Sequence, residues 1–163
     1  MIRSICVLFF GLMAAPAASQ DLVFDMSATD TCLAETTDPD VAGSCIGASA
    51  NACMESSQGG SSTVGMGFCL AAEQEAWDDR LNEVYRSAMA AHRASDAEYK
   101  PYLSEADSLR DAQRAWIAWR DANCLYEVST WGGGTGGGPA GTSCNMRMTA
   151  ERALELGWRE NSQ

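Results

Sequence analysis

Three sets of side chains in this sequence could do chemistry. Asp78, Asn82 and Tyr85 recur at steps of four and three, so on a helix they share one face. Gln113 and Arg120 stand on a second stripe, inside the run "AQRAWIAWRDANC" from Ala112 to Cys124, which is otherwise rich in tryptophan and alanine. An aspartate, a tyrosine and an arginine held together could form an acid–base site. They could equally form an ion-paired network that fixes how two helices meet. The network is the more economical reading, because a buried guanidinium needs a partner, whereas catalysis needs an open cleft that nothing here demands. We therefore expect Arg120 to pair with Asp78, and Gln113 to reach Asn82 or Tyr85, in a structural role.

The third set is the thiols. Cys6 lies in an apolar leader, which leaves Cys32, Cys45, Cys53, Cys69, Cys124 and Cys144. An even number in an exported chain reads as three disulfides. Six cysteines allow fifteen pairings, and sequence alone cannot choose among them; near-neighbour pairs, Cys32–Cys45, Cys53–Cys69 and Cys124–Cys144, are favoured. A zinc site is disfavoured, because the cysteines are dispersed, no CxxC occurs and His92 is the only histidine. His92 reads as an exposed residue near a helix C-terminus.

Catalytic motifs are absent. There is no GxSxG, HExxH, phosphate-cradling GK[ST] or CxxC. The Gly-rich "GGSSTVGMG" lacks the lysine of a phosphate cradle, and "TTDPD" lacks the acid spacing of a calcium loop. We assign no catalytic residue, no cofactor and no metal, and read the protein as a non-enzyme.

The elements that must hold these residues are helical. Leu70, Gln74, Trp77, Leu81, Val84 and Ala88 follow the period of one helix face, predicting a helix from about Phe68 to His92. The charged Glu73, Glu75, Asp79 and Glu83 fall mostly elsewhere. Ser104 is a plausible N-cap for a second helix running to about Val128. "WGGGTGGGPAG" predicts a loop from Trp131 to Gly141, since so many glycines are poorly held in a helix. A third helix is expected from Thr142 or Ser143 to about Trp158, and Met66, Met89, Met146 and Met148 read as core fillers. Short connections make the first two helices antiparallel. Residues 20–67 look irregular, with "DTCLAE" and "NACMES" as short helices tied down by disulfides. The fold class is thus all-α: a small disulfide-stapled bundle, an antiparallel helix pair plus a third helix, preceded by an irregular acidic segment. The expected organisation is 1–19 leader, 20–67 acidic segment and 68–163 helical domain.

The start, "MIRSICVLFFGLMAAPAASQ", has a basic residue, a short apolar core and small residues, the order of a secretory signal. It predicts a periplasmic or secreted protein with no membrane insertion after cleavage. The net charge is −11, and it is unevenly spread. After Arg3 the next basic residue is Arg80, and eleven acids lie between them; from Arg80 onward there are eleven acids and ten bases. Phosphate backbones would be repelled, which excludes nucleic acid as a partner, while a cationic partner would be attracted.

The segments "WDDRLNEVY", "LRDAQRAWIAWRDANC", a Gly-Gly loop and "CNMRMTAERALEL" resemble the LprI-type lysozyme inhibitor family. The matching residues include Asp78, Leu81, Asn82 and Tyr85, the Ala112–Trp116 run, Arg120, Asp121 and Cys124, then Gly133, Cys144, Thr149 and Arg152. The likeness spans about residues 53–158. It implies an exported, disulfide-bonded helical domain whose named activity is inhibition of lysozyme. With the acidic first half of the chain, the first reading is a binding protein that blocks the cleft of a cationic c-type lysozyme. A cell-envelope interaction domain with another partner is the second reading. Neither the partner-binding residues nor the oligomeric state follows from the sequence.

Overall fold

The computed structural model describes residues 22–36 and 38–161. The leader read at 1–19 lies outside them. Every regular element among the described residues is helical: α1 (Ser27–Ala34), α2 (Pro39–Ala42), a 3-10 turn (Gly43–Cys45), α3 (Ala48–Ser56), α4 (Thr63–Tyr99), α5 (Glu105–Ser129) and α6 (Gly137–Asn161). The all-α, disulfide-stapled bundle is what the periodicity predicts, but several boundaries differ. The short helices expected at "DTCLAE" and "NACMES" are α1 and α3, each beginning three residues before that stretch, and α4 is longer at both ends than the apolar stripe alone indicated.

The extra turns of α4 have local causes. Ser62 caps it, its Oγ accepting the Gly65 N–H at 3.0 Å. Gly60 and Gly65 let the turn after α3 lie directly on the first turn of α4. A Cβ on Gly65 would fall 2.2 Å from the Gly59 carbonyl oxygen, and one on Gly60 would fall 2.3 Å from that of Met54. The Cys53–Cys69 disulfide closes the same corner. At the far end, Lys100 adopts a left-handed conformation (φ 47°) and stops the helix. Ser104 then caps α5, its Oγ accepting the Asp107 N–H at 3.0 Å.

Two chain reversals bring α6 back along α4, and this is the most extensive packing in the molecule. Helix α5 packs more broadly on α6 than on α4, while α3 covers another side of α4. The main core joins these layers through Ala50, Cys53, Cys69, Trp77, Leu81, Met146, Ala150, Ala153 and Leu156. A smaller cluster of Cys124, Cys144 and Met148 lies under Trp116. The bridges Cys32–Cys45, Cys53–Cys69 and Cys124–Cys144 tie, in turn, the α1 region, the α3–α4 corner and the α5–α6 corner.

Part of the glycine run, expected to be a loop, is packed: Gly137 and Gly141 are buried, while residues 131–135 are exposed. Helix α6 begins at Gly137, five residues before the earliest start expected from sequence. A Cβ on Gly136 would come 2.2 Å from Cζ3 of Trp131, and one on Gly141 would come 2.5 Å from Cγ2 of Val128. Glycine there allows the first turns of α6 to lie against the end of α5. Only Gly132 and Gly133, at φ 57° and 86°, serve the turn itself.

Candidate functional site

The sequence stripes meet partners other than those expected. Arg120 does not pair with Asp78. Its guanidinium bonds Asp121 Oδ1 through Nη2 at 2.8 Å and Thr149 Oγ1 through Nη1 at 3.3 Å, and lies 5.2 Å from the centroid of the Trp116 ring. Gln113 does not reach Asn82 or Tyr85. It is buried, and its Oε1 accepts from Arg152 Nε at 3.0 Å. Arg152 also bonds Glu155 at 2.7 Å and sits 6.0 Å from the Trp116 ring centroid. Trp116 is therefore flanked by two guanidinium groups in a polar seam between α5 and α6. On α4, exposed Asp78 accepts, among the described residues, from Asn82 Nδ2 at 2.9 Å, while Tyr85 is half-buried against the main core. The physical reason is the packing order. The partner helix of the α5 stripe is α6, so its polar residues find Thr149 and Arg152 before they find anything on α4.

His92 is half-buried, with Nδ1 2.9 Å from Glu105 Oε2 across the α4–α5 corner, and is not the exposed helix-end residue expected. Asp96 holds the same corner. Its carboxylate accepts the Ser104 hydroxyl at 2.7 Å and the N–H groups of Glu105 and Ala106 at 2.9 and 3.1 Å. The Ser104 hydroxyl, then the Glu105 N–H, hold the Asp96 carboxyl below its ordinary value of 3.8.

The principal polar anchor was not legible as such. Glu73 is completely buried. Its Oε1 accepts from the Gly47 N–H at 2.8 Å, from the Thr29 hydroxyl at 3.0 Å and from Trp77 Nε1 at 3.0 Å; Oε2 accepts from the Ala50 N–H at 2.6 Å. Four donors and no acceptor surround it, which an acceptor-only carboxylate satisfies. Two of the donors are backbone N–H groups at the start of α3, so Glu73 caps that helix from α4. Thr29 and Ser49 lock the same junction reciprocally, each hydroxyl accepting the other's N–H at 3.0 Å. The available signal was the i+4 series Cys69, Glu73, Trp77, Leu81, which places the acid on a wholly buried line.

The anchored segment forms one wall of a cleft of about 310 Å³. Leu33, Thr36 and Ala42 face Trp77, Arg80 and Val84 of α4 and Leu154, Gly157 and Trp158 of α6. Arg80 lies over the Trp77 ring, 5.1 Å from its centroid, and is ion-paired with Asp30. Glu83 stands exposed on the lining. Beyond it, Glu75, Asp78 and Asp79 are exposed along α4, continuing the acidic character of the first half of the chain. A separate apolar surface follows α5, where Trp119 is 59% and Tyr126 is 68% exposed. Among the described residues no group of three or more His, Cys, Asp or Glu side chains is placed to hold a metal ion. No helix among them is long and apolar enough to cross a membrane.

Comparison with known proteins is consistent with this geometry. The family model described as "Lysozyme inhibitor LprI" matches residues 53–156, which run from the α3–α4 corner to the end of the α6 core. An uncharacterised protein of Rhizobium meliloti (strain 1021) is 31% identical over 99 residues, covering 58% of this chain and 71% of the relative. No solved structure matches significantly. The family model covers well over half of the chain, including two of its disulfides and the α5–α6 seam, and on that ground the chain belongs to the LprI lysozyme inhibitor family.

Proposed function

We propose that this protein is an exported inhibitor of a cationic c-type lysozyme, and that it acts by covering the enzyme's substrate cleft. Membership of the lysozyme inhibitor family over residues 53–156 carries the reading. The three disulfides agree with an oxidising compartment, as does the signal-like leader at 1–19. A lysozyme hydrolyses its substrate with two carboxyl groups facing a cleft. An inhibitor therefore needs no chemistry of its own; a stable body that docks over those groups suffices. The net charge of −11 would speed encounter with a basic enzyme and make association sensitive to salt.

The test is lysis of a cell-wall suspension by a cationic c-type lysozyme, with and without the oxidised protein, at about 10 mM and about 300 mM salt, where the screening length falls from roughly 30 Å to below 8 Å. Protection at low salt that weakens at high salt is expected. No protection at the lower salt overturns the proposal and leaves an envelope domain with a different partner.

A further inference from the structure

We infer that the cleft between the N-terminal segment and the α4–α6 pair receives a lysine or arginine side chain of the cationic protein partner. The inference rests on the lysozyme reading and names the part of this chain that takes hold.

The cleft suits a side chain with an apolar stem and a positive head. Its floor is apolar and tightly packed, for Trp77 and Ala42 are each 1% exposed and Ala153 is 4% exposed. Leu33, Val84, Leu154 and Trp158 supply the walls. Long basic side chains lay their methylene groups on such surfaces while the charge stays near water. The one cation in the lining, Arg80, is committed to Asp30 and to the Trp77 ring, so it neither fills the cleft nor leaves it positive. Exposed Glu83 stands on the lining to meet an incoming positive head, and exposed Glu35 lies in the same turn as Leu33 and Thr36. An anionic side chain would meet these carboxylates. A purely aliphatic one would use the walls and leave Glu83 unused.

Gly157 keeps the space open. A Cβ there would meet only Cγ1 of Val84, at 3.7 Å. A larger residue at this helical position can therefore occupy the cleft without disturbing backbone, and it also favours the helix. That makes Gly157→Leu a plug whose Cβ the backbone accommodates. Glu83→Lys reverses the charge at an exposed position and is a second, independent probe.

The experiment titrates a cationic c-type lysozyme into the oxidised wild-type chain, Gly157→Leu, Glu83→Lys and, as a control on α5, Trp119→Ala, with melting temperatures and sedimentation recorded for each. We expect Gly157→Leu and Glu83→Lys each to weaken binding at least tenfold, with melting temperatures not lowered, and Trp119→Ala to bind as wild type does. Should Gly157→Leu misfold, Glu83→Lys alone decides. Wild-type binding retained by the cleft variants overturns this inference and leaves the lysozyme reading standing. Failure of the wild-type chain to bind lysozyme removes both. A change of oligomeric state in Gly157→Leu with lysozyme affinity intact assigns the cleft to a second copy of the chain and also overturns the inference.

Discussion

Replacing Glu73 should detach the N-terminal segment from the bundle. The carboxylate is 0% exposed and receives four hydrogen bonds, from Thr29, Gly47, Ala50 and Trp77. In Glu73→Gln, an amide oxygen in place of Oε1 can still accept the three bonds made there. The NH2 group must then face the Ala50 N–H, donor against donor, at a heavy-atom distance of 2.6 Å in the wild type. Losing one charge-assisted bond and leaving buried donors opposed should cost about 2–4 kcal/mol. Glu73→Ala strands all four donors and should cost on the order of 5 kcal/mol. At roughly 3 °C per kcal/mol for a chain of this size, Glu73→Gln should melt about 6–12 °C below the wild type. The loss should also be local. Cys53–Cys69 still ties α3 to α4 in the variant, so hydrogen exchange should accelerate in α1 and at the start of α3, while the α5–α6 seam keeps its protection. A Glu73→Gln protein that melts with the wild type, and exchanges no faster in α1, would refute the account of this residue as the anchor.

Three further outcomes follow from the same contacts. Asp78→Asn, at an exposed carboxylate bonded to Asn82, should change stability by no more than about 0.5 kcal/mol in chemical denaturation; a larger loss would mean that Asp78 supports a wider network. Gly65→Ala places a Cβ 2.2 Å from the Gly59 carbonyl oxygen, where backbone must yield, so about 1–3 kcal/mol of stability should be lost, measured by thermal melting. The Asp96 carboxyl is held below its ordinary 3.8 by Ser104 and Glu105, so its contribution is present above the unfolded value and disappears as pH falls through the folded one. Protection of the first turn of α5 should therefore drop on acidification below about pH 4, and Asp96→Asn should abolish that pH dependence.

The helices were legible because their apolar residues repeat at the helical period and because Ser104 sits where a cap belongs; the Ser62 cap, and with it the first turn of α4, was missed. Near-neighbour cysteines likewise stand in separate regions of the chain, and the structure joins each to its neighbour. The partner of Arg120 was not legible. A stripe states which way a side chain faces on its own helix, not which helix it will meet. An antiparallel pair taken alone points Arg120 toward α4. With α6 present, the nearer surface offers Thr149, and Gln113 meets Arg152 in the same way. The start of α6 was misread for a related reason. Glycine weakens a helix in isolation, but Gly136 and Gly141 are required by the close approach of Trp131 and Val128, a contact the local sequence does not contain.

Glu73 connects these misreadings to the candidate site. A polar residue on a charged helix surface is the ordinary expectation for Glu, and only its place in the line Cys69–Glu73–Trp77 argues otherwise. Its burial makes sense once α3 is seen to begin with unpaired backbone donors that must be satisfied inside the protein. The same contacts, with the Cys32–Cys45 bridge and the Asp30–Arg80 ion pair, hold Leu33, Thr36 and Ala42 opposite Trp77 and Gly157, so loosening the anchor should loosen one wall of the cleft. On the proposed reading, an acid that touches no partner thus helps to shape the surface that meets one. Lysozyme affinity in Glu73→Gln should consequently fall in step with the loss of order in α1, and adding Gly157→Leu to that variant should weaken binding little further. Independent, multiplicative losses would show that the anchor and the cleft are not coupled.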